Sequence, residues 1–173
     1  ATAPLIGDAV VPGRATGELL AANVGISFWG GVDAVSGTVI DRHHPLHGQS
    51  IGGKILAIPN GRGSCTGSQV VLELLLAGQA PAAILMRRPD EIIALGVIVA
   101  EELFGRSLPV VSLGEEGFAR LVSHSGPVAV DGTHVSLGGA PPPAAAAATT
   151  TTAAAGPVLS AEDEAMLNGA QGR

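Results

Sequence analysis

Between Ile55 and Leu113, short aliphatic runs alternate with helix-length segments, and this rhythm restricts the fold more than any other feature of the chain. Ile55-Leu56-Ala57-Ile58-Pro59 is too short for a helix and apolar throughout, as expected of a strand buried on both faces. Gln69 to Ala77 follows, with Val70, Val71, Leu72, Leu74, Leu75 and Leu76 apolar nearly all round, which predicts a helix packed on a sheet and stopped at Gly78. Pro81-Ala82-Ala83-Ile84-Leu85-Met86 is a second strand. Pro89-Asp90-Glu91 opens a second helix that runs through Ile92, Val97, Ile98 and Leu103 and ends at Gly105. Leu108 to Leu113 is a third strand. Strand, helix, strand, helix, strand is a βαβαβ unit, which calls for a parallel sheet with right-handed crossovers.

Antiparallel pieces flank that unit. Glu115 to Val122 reads as a short helix, and Val128 to Leu137 as a hairpin with Asp131-Gly132 in a type I′ turn. Apolar fragments before residue 24, divided by Gly7, Pro12, Gly13 and Gly17, are strand-like, and Gly37 to Asp41 reads as a further short strand. The fold class is therefore α/β with a mixed sheet, a βαβαβ core and a C-terminal β-hairpin.

Asn60-Gly61-Arg62-Gly63-Ser64-Cys65-Thr66-Gly67-Ser68 joins the first strand to the first helix. Such a turn points backbone N–H groups and the positive end of a helix into one small volume, where an anion is held. Ser64 and Arg62 stand at its edge. Ser64 is either an N-cap without chemistry or a reactive hydroxyl. Thr66, followed by Gln69 three residues on, resembles a capping box, and Ser68 also reads as a cap. Arg62 could stabilise an alkoxide or grip a carboxylate in a bidentate pair. Cys65 is either a small apolar side chain in the packing or a wall of the pocket.

Composition excludes several classes. A net charge of −6 and 2% aromatic residues argue against a nucleic-acid groove, which needs clustered cations and stacking faces. One cysteine rules out a disulfide framework within the chain and fits a reducing compartment. No apolar run reaches the roughly 20 residues of a membrane span, and no basic segment leads into an apolar core at the start, so the cytoplasm is expected.

Three local features need weighing. Gly48 to Ile55 nearly matches a phosphate-binding loop, but Ile55 replaces the metal-binding hydroxyl and a strand follows where a helix is required. Gly52-Gly53-Lys54 is better read as a turn with Lys54 solvated. His43, His44 and His47 flank Pro45, which breaks the helix that would align them, so a solvated loop is favoured over a pocket wall or a metal site. Phe28-Trp29 holds the only tryptophan, read as a core plug ahead of a pocket lining.

Residues 139–157 are a low-complexity stretch of Pro, Ala and Thr with nothing to bury, read as a linker. Ser160 with Asp163 starts a new helix over 158–173. A linker joins two folded bodies, so the chain reads as the front part of a longer two-domain polypeptide.

GGVDAVSGTVID (30–41), HPLHGQSIGGKILAIPNGRGSCTGS (44–68), VVLELLLAGQAPAAILM (70–86) and IIALGVIVAEELFGRSLPVV (92–111) together resemble the small, swivelling subunit of aconitase X, a hydro-lyase branch related to aconitase. The resemblance covers about residues 5–138, and LSAEDEAMLNGAQG (159–172) looks like the opening of the family's large part. It implies that residues 1–138 form a swivelling β/β/α domain closing over a site on a large catalytic domain, in one fused polypeptide. That large domain carries an iron–sulfur cluster on cysteines absent here, and the substrate is a small hydroxy acid. By the same resemblance Ser64 is the catalytic base, and Arg62, Gly63 and Cys65 lie against substrate, with Cys65 alternatively touching iron as a thiolate. Many members carry Ser-Ser where this chain has Ser64-Cys65. The Cys form looks like the bacterial branch that dehydrates cis-3-hydroxy-L-proline, and the Ser form like phosphomevalonate dehydratases. The implied reaction is β-elimination of water, with this fragment inactive alone. Two other classes stay open: a phosphotransfer swivelling domain, which needs a histidine in the turn, and a non-catalytic binding subunit.

Overall fold

A computed structural model describes residues 3–62 and 66–138. Gly63, Ser64 and Cys65, the linker expected at 139–157 and the helix expected at 158–173 lie outside the described residues.

The βαβαβ unit is present as expected. Strands β4 (Ile55–Ile58), β5 (Ala83–Met86) and β6 (Val110–Ser112) are parallel neighbours, linked through helices α2 (Thr66–Ala77) and α3 (Glu91–Phe104). Every residue of these three strands is buried. Alternate side chains divide between two cores, which is why the runs are continuous rather than alternating. Leu56, Ile58, Ile84, Met86 and Val110 face Val71, Leu74, Ile93 and Val97 of the two helices. Ile55, Ala57, Ala83, Leu85 and Val111 face the opposite way, into a second core with Val128, Val130 and Val135. Phe118 and Leu121 of α4 (Gly114–Val122) belong to that second core.

The other strands close this second core. β3 (Arg14–Ala21) lies parallel to β4 and antiparallel to β7 (Pro127–Asp131), which pairs in turn with β8 (His134–Leu137). β1 (Leu5–Ile6) adds to β8, and β2 (Asp8–Val11) adds antiparallel to β6 at the far end of the order β1-β8-β7-β3-β4-β5-β6-β2. Only Gly7 separates β1 from β2, so one short stretch of chain serves both ends of the eight-stranded sheet and the sheet curls nearly into a barrel. Gly7 donates its N–H to the Thr133 carbonyl (2.9 Å). A Cβ there would strike the Ser112 carbonyl and come within 2.9 Å of Val111, so this seam accepts only glycine.

Several expectations shift. The hairpin pairs Asp131 with His134, so Gly132 and Thr133 are the central turn residues; only Gly132 has positive φ (58°), which excludes a type I′ turn. The strand expected at Gly37 to Asp41 is instead a pair of isolated bridges, because Val39 exchanges hydrogen bonds with Gln49 and Gly48 in its own loop rather than with a sheet. Thr66 is the first described residue of α2, and Gln69 reaches forward to Glu73 (3.1 Å). Gly52-Gly53 forms the expected turn into β4. No helix among the described residues is long and apolar enough to cross a membrane.

Helices α2 and α3 pack so closely that a Cβ on Gly96 would lie 2.5 Å from the Ser68 carbonyl oxygen in the first turn of α2. Gly96→Ala is expected to cost about 2 kcal/mol of unfolding free energy, although alanine is the better helix former. Urea denaturation of the variant measures it; a gain in stability would refute this close packing.

Candidate active site

The Gly-rich turn leaves β4 at the carboxyl end of the parallel strands, where open α/β sheets hold their ligands. Its entry is held from two sides. On one side Ile26 bridges Gly61 as a short parallel extension of the sheet, and the Arg62 N–H donates to the Ile26 carbonyl (2.8 Å). On the other, the Gly61 N–H donates to Asp90 Oδ2 (2.9 Å). Glycines make both approaches possible. A Cβ on Gly25 would sit 2.6 Å from the Asn60 carbonyl oxygen, and one on Gly61 would sit 2.5 Å from Asp90 Oδ2. Pro59 accepts from the N–H groups of both Arg87 and Arg88 (3.2 and 3.3 Å), which ties the end of β4 to the end of β5.

Asp90 is also the N-cap of α3, its Oδ1 accepting from Ile92 and Ile93 (3.0 and 3.1 Å). The Pro89-Asp90-Glu91 signal gave the helix start, but the bond to Gly61, 29 residues away, has no sequence signature. Ile26 and Gly25 escaped the sequence reading for the same reason.

A narrow cleft opens at this point, lined by Phe28, Gly61, Arg62, Gly67, Asp90 and Ile93. Its free interior, about 20 Å³, seats one water-sized molecule. Arg62 is exposed, and among the described residues its guanidinium has no carboxylate partner. Arg87 and Arg88 both lie near Glu115 (3.6 and 3.5 Å). Of the turn residues singled out from the sequence, Arg62 is thus at the cleft, while Gly63, Ser64 and Cys65 fall outside the described residues and are bracketed in sequence by Arg62 and the first turn of α2.

The Phe28-Trp29 pair splits: Phe28 fills both roles weighed for it, core and cleft wall, and the core role expected of Trp29 is not found. Phe28 is buried (2% exposed) and walls the cleft, whereas Trp29 is 64% exposed. The single turn α1 (Phe28–Gly31) departs from helical geometry, with Trp29 at φ −74°, ψ 120° and Gly30 at φ 74°, ψ −9°. Those angles are a type II turn, which needs glycine at its second central position and sets Trp29 outward at the first.

The histidine loop also divides. His43 and His47 are exposed, as a solvated loop requires, but His44 is 5% exposed. Its Nδ1 accepts from the Leu46 N–H (3.1 Å), so the proton sits on Nε2, which donates to the Val24 carbonyl (3.0 Å). His44 is therefore a strut that fixes the 23–26 segment beside the turn. Among the described residues no three His, Cys, Asp or Glu side chains gather to hold a metal, and this set does not fit an iron–sulfur cluster.

Comparison with known proteins shows what family and fold this chain shares. The aconitase X swivel-domain model matches residues 4–137. A cis-3-hydroxy-L-proline dehydratase of Pseudomonas aeruginosa is 56% identical over 94% of this chain, and the chain spans only 28% of that protein. The phosphomevalonate dehydratase small subunit of Methanocella arvoryzae is 38% identical, covering 73% of this chain and 92% of that subunit. The crystal structure of Thermococcus kodakaraensis aconitase X in its holo-form superposes with a TM-score of 0.68 at 35% identity, over 79% of this chain and 98% of that one.

His44→Ala leaves the Val24 carbonyl and the Leu46 N–H without their partner, an expected loss of about 2 kcal/mol in urea denaturation. His43→Ala and His47→Ala, at exposed positions, should stay within about 0.5 kcal/mol of the parent. Equal losses for all three would contradict the strut.

Proposed function

The chain belongs to the aconitase X swivel-domain family, and from that we propose that it supplies the base for β-elimination of water from a small hydroxy acid, with cis-3-hydroxy-L-proline as substrate. The observation that carries the class is the family match over residues 4–137. The identity of 56% to a dehydratase acting on that substrate, against 38% to a phosphomevalonate dehydratase small subunit, favours the proline substrate, as does Ser64-Cys65 in the turn.

In this reading Ser64 removes the proton on the carbon bearing the carboxylate. The electrons of that C–H bond form the new carbon–carbon double bond, the neighbouring C–O bond breaks, and the released hydroxide takes up one proton, balancing the one taken by Ser64, to leave as water. A serine is a poor base unless its alkoxide is stabilised. The start of α2 at Thr66 and the exposed Arg62 stand next to it in sequence and are suited to that task. Arg62 alternatively pairs with the substrate carboxylate. Gly63 lets substrate approach the backbone, and Cys65 walls the pocket.

The cleft seats one water-sized molecule, too little for a hydroxy acid. We take the missing wall to be a large catalytic domain, joined through a linker at 139–157 to a first helix at 158–173. A relative named as a small subunit supports such a partner, and so does the share of 28% that this chain spans in its dehydratase relative. Trp29, exposed on its turn beside the cleft, is suited to meet that wall. The aconitase relation implies an iron–sulfur cluster, which would supply the Lewis acid for the departing hydroxyl from the large domain, and a lone cysteine favours the cytoplasm.

The test is made on the complete polypeptide, purified without oxygen and assayed with cis-3-hydroxy-L-proline and with phosphomevalonate. Turnover of the first alone is expected, and Ser64→Ala should lower kcat at least about 10²-fold. Turnover of phosphomevalonate instead would move the substrate. Near-normal turnover in Ser64→Ala would remove Ser64 as base and return the domain to a binding role.

A further inference from the structure

Two helix N-termini meet the cleft: Gly67 belongs to the first turn of α2, and Ile92 and Ile93 to that of α3. The α3 end is already filled. Asp90 Oδ1 takes the Ile92 and Ile93 N–H groups, which is all that a helix cap requires. Its other oxygen is committed elsewhere, accepting from the Gly61 N–H at 2.9 Å. The next amide along, that of Arg62, is held by the Ile26 carbonyl at 2.8 Å. Two successive peptide units are thus pinned from opposite sides, immediately before the residues expected to do chemistry. A Cβ at position 61 would have to displace this carboxylate oxygen, 2.5 Å away.

We propose that Asp90 is a positioning residue of the site, whose carboxylate locks the backbone at Gly61 and through it holds Arg62 where it meets substrate. The functional half of this rests on the reading above that Arg62 serves the reaction. The structural half stands on the hydrogen bonds alone. One carboxylate supplies three acceptor positions here, two for the helix and one for the turn. An amide has one oxygen where the carboxylate has two, so asparagine serves the helix or the turn but not both.

The experiment compares Asp90→Ala and Asp90→Asn in the complete polypeptide. Amide hydrogen exchange resolved to Gly61 is read beside steady-state kinetics on cis-3-hydroxy-L-proline. Asp90→Ala should speed Gly61 exchange at least about tenfold and raise KM at least about tenfold. Partial loss of folded enzyme lowers the apparent kcat and leaves KM alone, so a KM effect separates positioning from mere destabilisation. Asp90→Asn should uphold the lock by showing either Gly61 or the first-turn amides of α3 deprotected, not neither. Unchanged Gly61 exchange in Asp90→Ala overturns the proposal, and so does faster exchange with KM within twofold of the parent. If the parent does not turn over this substrate, the functional reading falls while Gly61 exchange still upholds or overturns the lock.

Discussion

The fold depends on burying both faces of the parallel strands. Ile55–Ile58 and Ala83–Met86 have no solvent side, so the chain must build two cores rather than one. Helices α2 and α3 supply one cover. The other is the curl of the same sheet, completed by β7, β8, β1 and α4. Small residues at Ala57 and Ala83 suit the confined interior of a curled sheet, and they leave little room for the aromatic side chains that this chain so largely lacks. With both faces spent on packing, reactivity has only the strand ends to occupy, and the Gly-rich turn stands there.

What was legible in the sequence follows from the range of the forces involved. The βαβαβ unit, α4, the hairpin and the stop at Gly105 are set by local periodicity and punctuation, and each is present. The misplaced strand at Gly37 to Asp41 has strand-forming residues, but a strand needs a partner, and its backbone hydrogen bonds are scattered over Gly31, Asp33, Gly48, Gln49 and Ile51 nearby in the chain. The hairpin turn moved by one residue because register is set by which residues pair, Asp131 with His134, and not by the dipeptide that resembles a turn.

The site divides in the same way. Arg62 and the approach to α2 could be read from the glycines around them. Asp90, Ile26, Phe28 and His44 act across the fold, and their roles appear only when residues distant in sequence are brought together. His44 is instructive. A cluster of histidines beside a proline suggests a wet loop, and two of the three behave so, yet the third is a buried brace with both ring nitrogens engaged. Trp29 makes the converse point, since the single largest apolar side chain is left facing outward by two backbone angles and a glycine.

The seam at Gly7 also decides how much open edge the sheet presents. Edge strands ordinarily offer a row of unpaired amides that another chain can extend. Here both ends of the sheet are taken up by β1 and β2, two short strands from one stretch of chain. Little length of edge is left for a second polypeptide to graft onto. What the sheet's edges offer a neighbour is then mostly side chains and loops rather than a long row of open backbone amides.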